Sequence, residues 1–192
     1  MYDHDCEGSV ELMRTWRVLV VDYNRKWPAM FQAEADKIAR ILGDNLVAIH
    51  HIGSTSVPGL RAKPIIDMMP VVKDITLVDK CNPQMAALGY EAMGEFGLPG
   101  RRYFRKGEHE RTHHVHCYSL SSSDEIERHL AFRDYLRTHP DVARAYGELK
   151  TRLAQEHPDD AAAYMDGKDA WVKKTEREAL AWKRATLENS QL

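Results

Sequence analysis

The sequence predicts an α+β fold in which helices pack on a mixed β-sheet and a helical layer follows at the C-terminal end. Two apolar strand patterns, at 46–52 and 65–72, flank a short turn. A hairpin pattern follows between 101 and 119. Strand signals are therefore confined to about 17–120, whereas the pattern from about 122 to 187 is entirely helical, and this segregation favours helices packed on one sheet.

Length and composition favour a single domain, 1–192. The chain has 192 residues, of which 43% are hydrophobic, which suffices for one well-packed core. The net charge of −2 argues against nucleic acid as a partner, because a nucleic-acid-binding domain normally carries a strongly basic face. A small anionic molecule or a nucleotide remains open as a ligand.

The cysteines and the hydropathy pattern indicate a cytoplasmic protein. Cys6, Cys81 and Cys117 are odd in number and widely spaced, so we expect neither a disulfide framework nor a cysteine zinc site. No apolar run approaches the ~18 residues of a membrane span. We therefore expect no membrane partner.

The first elements are predicted from β-branched runs and helical spacing. The run at 17–21 predicts a short strand. Pro28 fits the first turn of a helix over 28–42, where apolar residues recur at helical spacing. The segments 46–52 and 65–72 predict strands, and the second is almost continuously apolar, as in a strand buried on both faces.

The middle of the chain predicts a broken helix and a hairpin. Segment 75–88 is helical in pattern, but Pro83 must end or kink the helix. A glycine-rich connection follows at 89–100. The two arms of the hairpin are expected at 101–106 and 113–119, joined by a polar segment.

The C-terminal part predicts several helices. Ser122 and Glu125 stand at the spacing of a capping box, in which each side chain bonds a free backbone N–H of the other. Pro140 is expected to open the next helix, and the last helix should cover about 160–187. These helices form the expected helical layer.

A turn of small residues precedes the strand at 65–72 and resembles a phosphate cradle. Gly53 allows the backbone to approach a ligand closely, and the hydroxyls of Ser54, Thr55 and Ser56 are suited to donate to phosphate oxygens. The alternative is an ordinary tight connection with local Ser/Thr hydrogen bonds. The spacing between this turn and Asp67, the carboxylate within the following strand, favours the phosphate hypothesis.

Asp67 is the candidate metal ligand, because a carboxylate in an apolar run is costly to bury unless it is paired or coordinated. A divalent cation (Mg, Mn or Zn) is one such partner. Two positions on, where a second acid would complete a paired site, the chain has Met69. Strand alternation puts His114 and His116 on one face, where they could ligate zinc or manganese, or one could serve as the catalytic base; simple packing of both is the alternative.

Four cations are candidates to neutralise a bound anion: Lys63, Arg102, Arg133 and Lys168. Each has a structural alternative. Lys63 or Arg102 could form an interior salt bridge with Asp67, and Arg102 belongs to a basic run that could be a solvated hairpin. Arg133 and Lys168 could each form an ion pair on a helix surface.

Four segments together resemble the GrpB family, and they spread over most of the chain. The most specific is the turn and strand from His51 to Asp67. The others are VDYNRKWP at 21–28, THHVH at 112–116 and FRDYLR at 132–137. The resemblance implies a nucleotidyltransferase-like fold, because that family is placed in the nucleotidyltransferase superfamily, and Arg133 and Lys168 lie in matching segments.

Within that superfamily, the resemblance implies an apolar Gly-Ser turn followed by an Asp-x-Asp/Glu pair. Gly53 and Ser54 match the turn and Asp67 matches the first acid. Met69 departs from the superfamily pattern, although GrpB proteins generally carry an apolar residue there. The resemblance therefore implies the fold, whereas the departure at Met69 leaves the reaction open.

Three functions remain open from the sequence. The first is binding of a nucleotide or another phosphorylated or carboxylated small molecule, with metal-dependent nucleotidyl transfer as the candidate reaction and the nucleotide as its substrate. The second is a non-catalytic binding module in which the missing acid reflects lost chemistry. The third is a different group transfer, acyl or amide, that depends on the histidine pair.

Overall fold

The computed structural model describes residues 17–108 and 110–189, which form a mixed five-stranded sheet with helices on both faces. The strand order is β1-β2-β5-β4-β3. The elements in chain order are α1 (Trp27–Leu42), β1 (Leu46–Ile52), β2 (Ile66–Val72), α2 (Thr76–Asp79), α3 (Asn82–Ala87), β3 (Tyr90–Ala92), β4 (Arg102–Lys106), β5 (His113–Ser119), α4 (Ser123–Thr138), α5 (Pro140–Glu156) and α6 (Ala161–Asn189).

The sheet is mixed because its two central strands run parallel while the outer pairs are antiparallel. β2 pairs with β5 in parallel, and β1 with β2, β5 with β4, and β4 with β3 are antiparallel. The predicted hairpin of β4 and β5 and the predicted mixed sheet are confirmed. The register sets Asp67 beside His114 across the parallel pair.

One face of the sheet packs against α1 and α3. Ile38 of α1, Ile66 and Met68 of β2 and Phe104 of β4 belong to one buried apolar cluster. Full burial of such a side chain contributes about 1.5–3 kcal/mol each. The apolar residues whose spacing predicted the helix at 28–42 therefore form the face of α1 that packs on the sheet.

The opposite face packs against α4, behind which α5 and α6 complete the helical layer. Ile52, Met69 and Tyr118 on this face form a buried cluster against Ile126 and Leu130 of α4. Odd-numbered residues of β2 therefore face the helical layer, and even-numbered ones face α1.

Two predicted elements of the first half are corrected by the structure. The strand expected at 17–21 is wrong: these residues form a single antiparallel bridge, Val21 to Ala62, and Val18 packs on the helical layer instead. The glycine-rich connection at 89–100 includes β3, which pairs with β4 at the sheet edge. In both places, the backbone is a strand only where it hydrogen-bonds along the edge of a neighbouring strand, and local composition does not determine this.

The helix boundaries follow the proline signals more closely than the capping signal. Pro83 lies in the first turn of α3, so the helical segment at 75–88 is divided into α2 and α3, and Pro140 begins α5, as expected. The predicted capping box is wrong, because Ser122 makes no side-chain hydrogen bond to the start of α4. The hydroxyl of Ser119 instead accepts from the N–H of Ser121 just before the helix. Among the described residues, no helix combines the length and apolar character needed to cross a bilayer.

Candidate functional site

The turn after β1 brings its backbone directly against the carboxylate of Asp67. Gly53 has φ +68°, in the left-handed region that favours glycine. A Cβ atom at this position would lie 2.5 Å from Asp67 Oδ2. The glycine is therefore required both for the turn and for the close approach of turn and carboxylate.

Asp67 lies in a cluster with two imidazoles from the neighbouring parallel strand. Its Oδ1 is 3.2 Å from His114 Nδ1 and 3.5 Å from His116 Nε2. Burial by itself would raise the pKa of Asp67, but hydrogen bonds from the two imidazoles hold that pKa well below its ordinary value. Asp67 is therefore a carboxylate over the whole neutral range.

One carboxylate and two imidazoles also make a possible metal site. One ligand atom from each of Asp67, His114 and His116 lies within 4.8 Å of the others. This donor set of one oxygen and two nitrogens suits zinc or manganese better than magnesium, which prefers oxygen ligands. The three residues fit a single divalent cation.

Met69 occupies the position where a second acid would share the face of Asp67. Its side chain is fully buried and packs with Ile52 and Tyr118. A carboxylate there would be desolvated among apolar groups. The structure therefore offers one strand carboxylate at this point, supplemented by imidazoles from β5.

The three hydroxyls of the turn have different partners. Thr55 Oγ1 donates to the Ile65 carbonyl (3.2 Å) and lies 3.0 Å from His51 Nε2. Ser56 Oγ donates to the Gly53 carbonyl at 2.6 Å. Only Ser54 directs its hydroxyl toward the helical layer, so two of the four predicted phosphate-binding residues, Thr55 and Ser56, use their hydroxyls to hold the turn.

The partner of Ser54 is a buried lysine that sequence reasoning missed. Lys150 of α5 is 3% exposed, and its Nζ donates to Ser54 Oγ at 3.0 Å and to the carbonyl of Arg61. Burial, together with the charge of Lys168, lowers the pKa of Lys150 to about 7. A lysine within an amphipathic helix gives no signal of burial, so only the fold reveals it.

Lys63 and Lys168, both predicted, join Lys150 in a group of three lysines near Asp67. Burial lowers the pKa of Lys63 and of Lys168, the charge of Lys63 lowers that of Lys168 further, and Asp67 partly opposes each shift. Among the described residues, no carboxylate lies within 4 Å of any of the three ammonium groups. These three partly or fully buried lysines therefore place positive charge beside Asp67 that no neighbouring carboxylate of the described residues compensates within 4 Å.

Two arginines of α4 hold the turn from behind. Arg133, a predicted ligand residue, donates to the carbonyl of His51 at 3.2 Å and pairs with Asp134. Arg137 donates from Nε and a terminal nitrogen to the carbonyl of Ser56, at 3.0 and 2.8 Å. Both guanidinium groups therefore position the backbone that carries Ser54.

Arg102 does not reach this cluster, contrary to the prediction. It pairs in register with Cys117, on the face opposite His116. There its guanidinium bonds both carboxylate oxygens of Asp79, at 2.6 and 2.9 Å. Arg102 shares a face of β4 with Phe104, and that face packs against α1 and α3 and not against the site.

The sheet and site together define a domain that presents an aspartate, two histidines and three lysines at the junction of a mixed sheet and a helical layer. A profile described as "GrpB protein" matches residues 17–178. The chain belongs to the GrpB family.

Two bacterial proteins named as UPF0157 proteins are similar in sequence to this chain. The UPF0157 protein YqkA of Bacillus subtilis is 49% identical over 168 residues, which are 88% of this chain and 49% of that protein. The UPF0157 protein PA4798 of Pseudomonas aeruginosa is 41% identical, over 92% of this chain and 73% of its own length. The chain thus spans about half the length of YqkA.

A solved relative has the same fold. The conserved protein GrpB from Enterococcus faecalis superposes with a TM-score of 0.84 at 52% identity, covering 86% of this chain and 99% of that one. Cid1, solved in complex with the UTP analogue UMPNPP, gives a TM-score of 0.41 at 13% identity, over 70% of this chain and 39% of Cid1. The fold of this chain is therefore that of GrpB proteins.

Proposed function

We propose that this GrpB protein binds a phosphorylated small molecule, a nucleoside triphosphate in particular, together with one divalent cation, and transfers its nucleotidyl group to a hydroxyl acceptor. The observation that carries this proposal is the group of three lysines, Lys63, Lys150 and Lys168: each is close enough to Asp67 for the carboxylate to raise its pKa, and none has a carboxylate of the described residues within 4 Å. Phosphate oxygens supply the negative charge that such a group lacks.

Binding of the phosphates is assigned to the turn and the helical layer. The ammonium of Lys150 donates to Ser54 Oγ at 3.0 Å, so the two groups are adjacent, and one phosphate oxygen bound beside them could accept from both. Lys63 and Lys168 neutralise the remaining charge. Because these groups are partly withdrawn from water, their attraction for phosphate exceeds that of surface lysines.

The cation is assigned to Asp67, His114 and His116, and when bound it would polarise the phosphate and offset its charge. With Met69 in place of a second acid, the strands supply ligands for one ion and not for a pair. The proton of the acceptor hydroxyl needs a base. The alternative role of one of the two histidines, in place of cation ligation, is to accept that proton, because a hydrogen bond to Asp67 orients the ring and stabilises its protonated form.

A non-catalytic binding module is the second candidate. The apolar burial of Met69 favours it, because nucleotidyl transfer by two ions relies on bridging carboxylates. This candidate predicts that the lysines bind phosphates equally well with and without a divalent metal.

The two candidates are separated by ligand-induced stabilisation. Thermal unfolding is measured with ATP and with inorganic tripolyphosphate, each with and without Mg²⁺, Mn²⁺ or Zn²⁺. A ligand at 100 times its Kd stabilises the fold by about 2.7 kcal/mol. Binding of ATP that requires Mn²⁺ or Zn²⁺, followed by pyrophosphate release with a hydroxyl acceptor, supports transfer; no stabilisation under any condition overturns the proposal.

Variants on β2 and β5 test the assignment of the metal ligands. His114→Ala and Asp67→Asn should abolish the metal dependence. His113→Ala is the matched control, because His113 lies on the same strand with its ring on the other face, 2.9 Å from Thr112 Oγ1. Metal-dependent binding that survives Asp67→Asn would contradict the assignment.

A further inference from the structure

We propose that the exposed ring of Phe96 stacks on a planar ring of the substrate, so that the ligand of the Asp67 site is a nucleoside phosphate and not a simple phosphate. This inference rests on the proposed function and specifies its substrate class. Phe96 lies in the loop between β3 and β4, outside the residues so far assigned to the site.

Phe96 is held in a conformation that a phenylalanine rarely adopts. Its φ is +44°, the one positive φ at a non-glycine residue within the described chain. Its side chain is also 56% exposed, so burial of apolar surface compensates for this backbone only in part. Strained residues that packing does not require are concentrated at functional sites.

A buried arginine, Arg101, holds the loop through hydrogen bonds to its backbone carbonyls. Arg101 is 7% exposed and donates to the carbonyls of Phe96 (2.8 Å) and Glu95 (3.3 Å). The carboxylate of Glu95 in turn accepts from the N–H of Gly100 at 2.8 Å. The exposed position of the ring is thus fixed by a network of hydrogen bonds and is not a consequence of a loose loop.

An aromatic series connects this ring to the histidines. Phe96 stacks on Tyr103 with ring centroids 5.2 Å apart and planes 24° apart. Tyr103 contacts His116 at 5.1 Å and His114 at 5.6 Å between centroids. One face of the Phe96 ring is therefore covered by Tyr103, which leaves the other face to stack on a ligand.

The order of the strands places the histidines between Ser54, to which Lys150 is bonded, and Tyr103, on which Phe96 stacks. Ser54 follows β1, Asp67 is on β2, the histidines are on β5 and Tyr103 is on β4, so these groups succeed one another across the sheet. β1, which Ser54 follows, and β4 are three strand spacings apart, about 14 Å. A ligand with its phosphates at Ser54 and the lysines would extend a ring toward Phe96 across the histidines.

The test compares ligands with and without a ring. Calorimetric Kd values are measured for ATP, tripolyphosphate and adenosine, in the presence of the cation that supports binding. Phe96→Ala should weaken ATP about 10-fold, within the range measured for loss of one base–aromatic stack, and change tripolyphosphate less than twofold. Phe96→Trp should retain the ATP affinity, and adenosine should compete with ATP but not with tripolyphosphate.

Leu98→Ala is the matched control, since Leu98 is 39% exposed in the same loop and is an aliphatic residue. Circular dichroism should show that both alanine variants fold, because neither side chain is buried. An unchanged ATP affinity in Phe96→Ala, with tripolyphosphate still bound, overturns this inference alone. If wild-type protein binds neither ATP nor tripolyphosphate, the proposed function falls and this inference falls with it.

Discussion

Gly53 and Asp67 are in direct contact across the turn between β1 and β2. The position of a Cβ on Gly53 is 2.5 Å from Asp67 Oδ2 and 3.1 Å from its Cβ, distances at which one group must move. The carboxylate is held by two histidines on its other side. Gly53 and the two histidines therefore fix the position of the Asp67 carboxylate between them.

Gly53→Ala should destabilise the protein and displace Asp67. A left-handed φ at a non-glycine residue costs about 1–2 kcal/mol, and the clash with the carboxylate adds to that cost. Gly59→Ala is the control, because Gly59 has φ +80° but open space around its Cβ position. Chemical denaturation should show a larger loss in the first variant, and divalent-metal binding should be lost in it alone. Equal losses in the two variants would show that the contact is unimportant.

The low pKa of Lys150 predicts a pH dependence of anion binding. With a pKa of about 7, the ammonium is largely discharged by pH 9. The ratio of tripolyphosphate affinities, wild type over Lys150→Met, should therefore fall as the pH rises from 7 to 9. Lys174→Met, at an exposed position of α6 paired with Glu178, should leave the affinity unchanged at every pH. A ratio independent of pH would contradict a role for the Lys150 charge.

The low pKa of Lys150 also predicts that the free energy of unfolding increases with pH, whereas the contribution of Lys150 to anion affinity decreases. The folded pKa of about 7 lies below the ordinary 10.5, so the unfolded chain binds more protons between these values. The free energy of unfolding of wild type, relative to Lys150→Met, should thus increase as the pH rises from 7 toward 10. Urea denaturation at several pH values measures it, and a decrease over this range would contradict burial of the charge.

Glu34 of α1 predicts acid sensitivity on the other face of the sheet. Burial would raise its pKa, but hydrogen bonds from Lys106 (2.6 Å) and Lys37 (2.9 Å) lower the pKa to about 2. Glu34→Gln should cost about 3 kcal/mol at pH 7, because it leaves the Lys106 charge without its buried partner.

The sign of the Glu34 effect follows from its lowered pKa. The stabilisation is complete above the ordinary pKa of 4.5 and is lost as the pH falls toward 2. The difference between wild type and Glu34→Gln in urea denaturation should therefore shrink over that range. Asp36→Asn, on the exposed face of the same helix, should change stability by less than about 0.5 kcal/mol at any pH. A pH-independent difference for Glu34→Gln would contradict the ion pair.

Several elements were predictable because local signals and tertiary packing agree. The helix at α1, the strands β1 and β2 and the hairpin of β4 and β5 follow patterns of spacing that the buried faces reproduce. The strand expected at 17–21 failed, because β-branched residues form a strand only where a partner edge is free. The face-sharing of His114 and His116 follows from strand alternation alone, and the structure confirms it.

The sequence by itself determined the longer helices and the strands β1, β2, β4 and β5, the family resemblance carried by the turn and Asp67, and the absence of a second acid at Met69. The tertiary structure alone decided which charged groups meet. It brought Lys150 from α5 to Ser54, turned Arg102 to the far face, and placed Phe96 beside the histidines through Tyr103. The physical reason is that periodicity fixes the face of an element on which a side chain lies, whereas strand order and helix packing fix what that face meets.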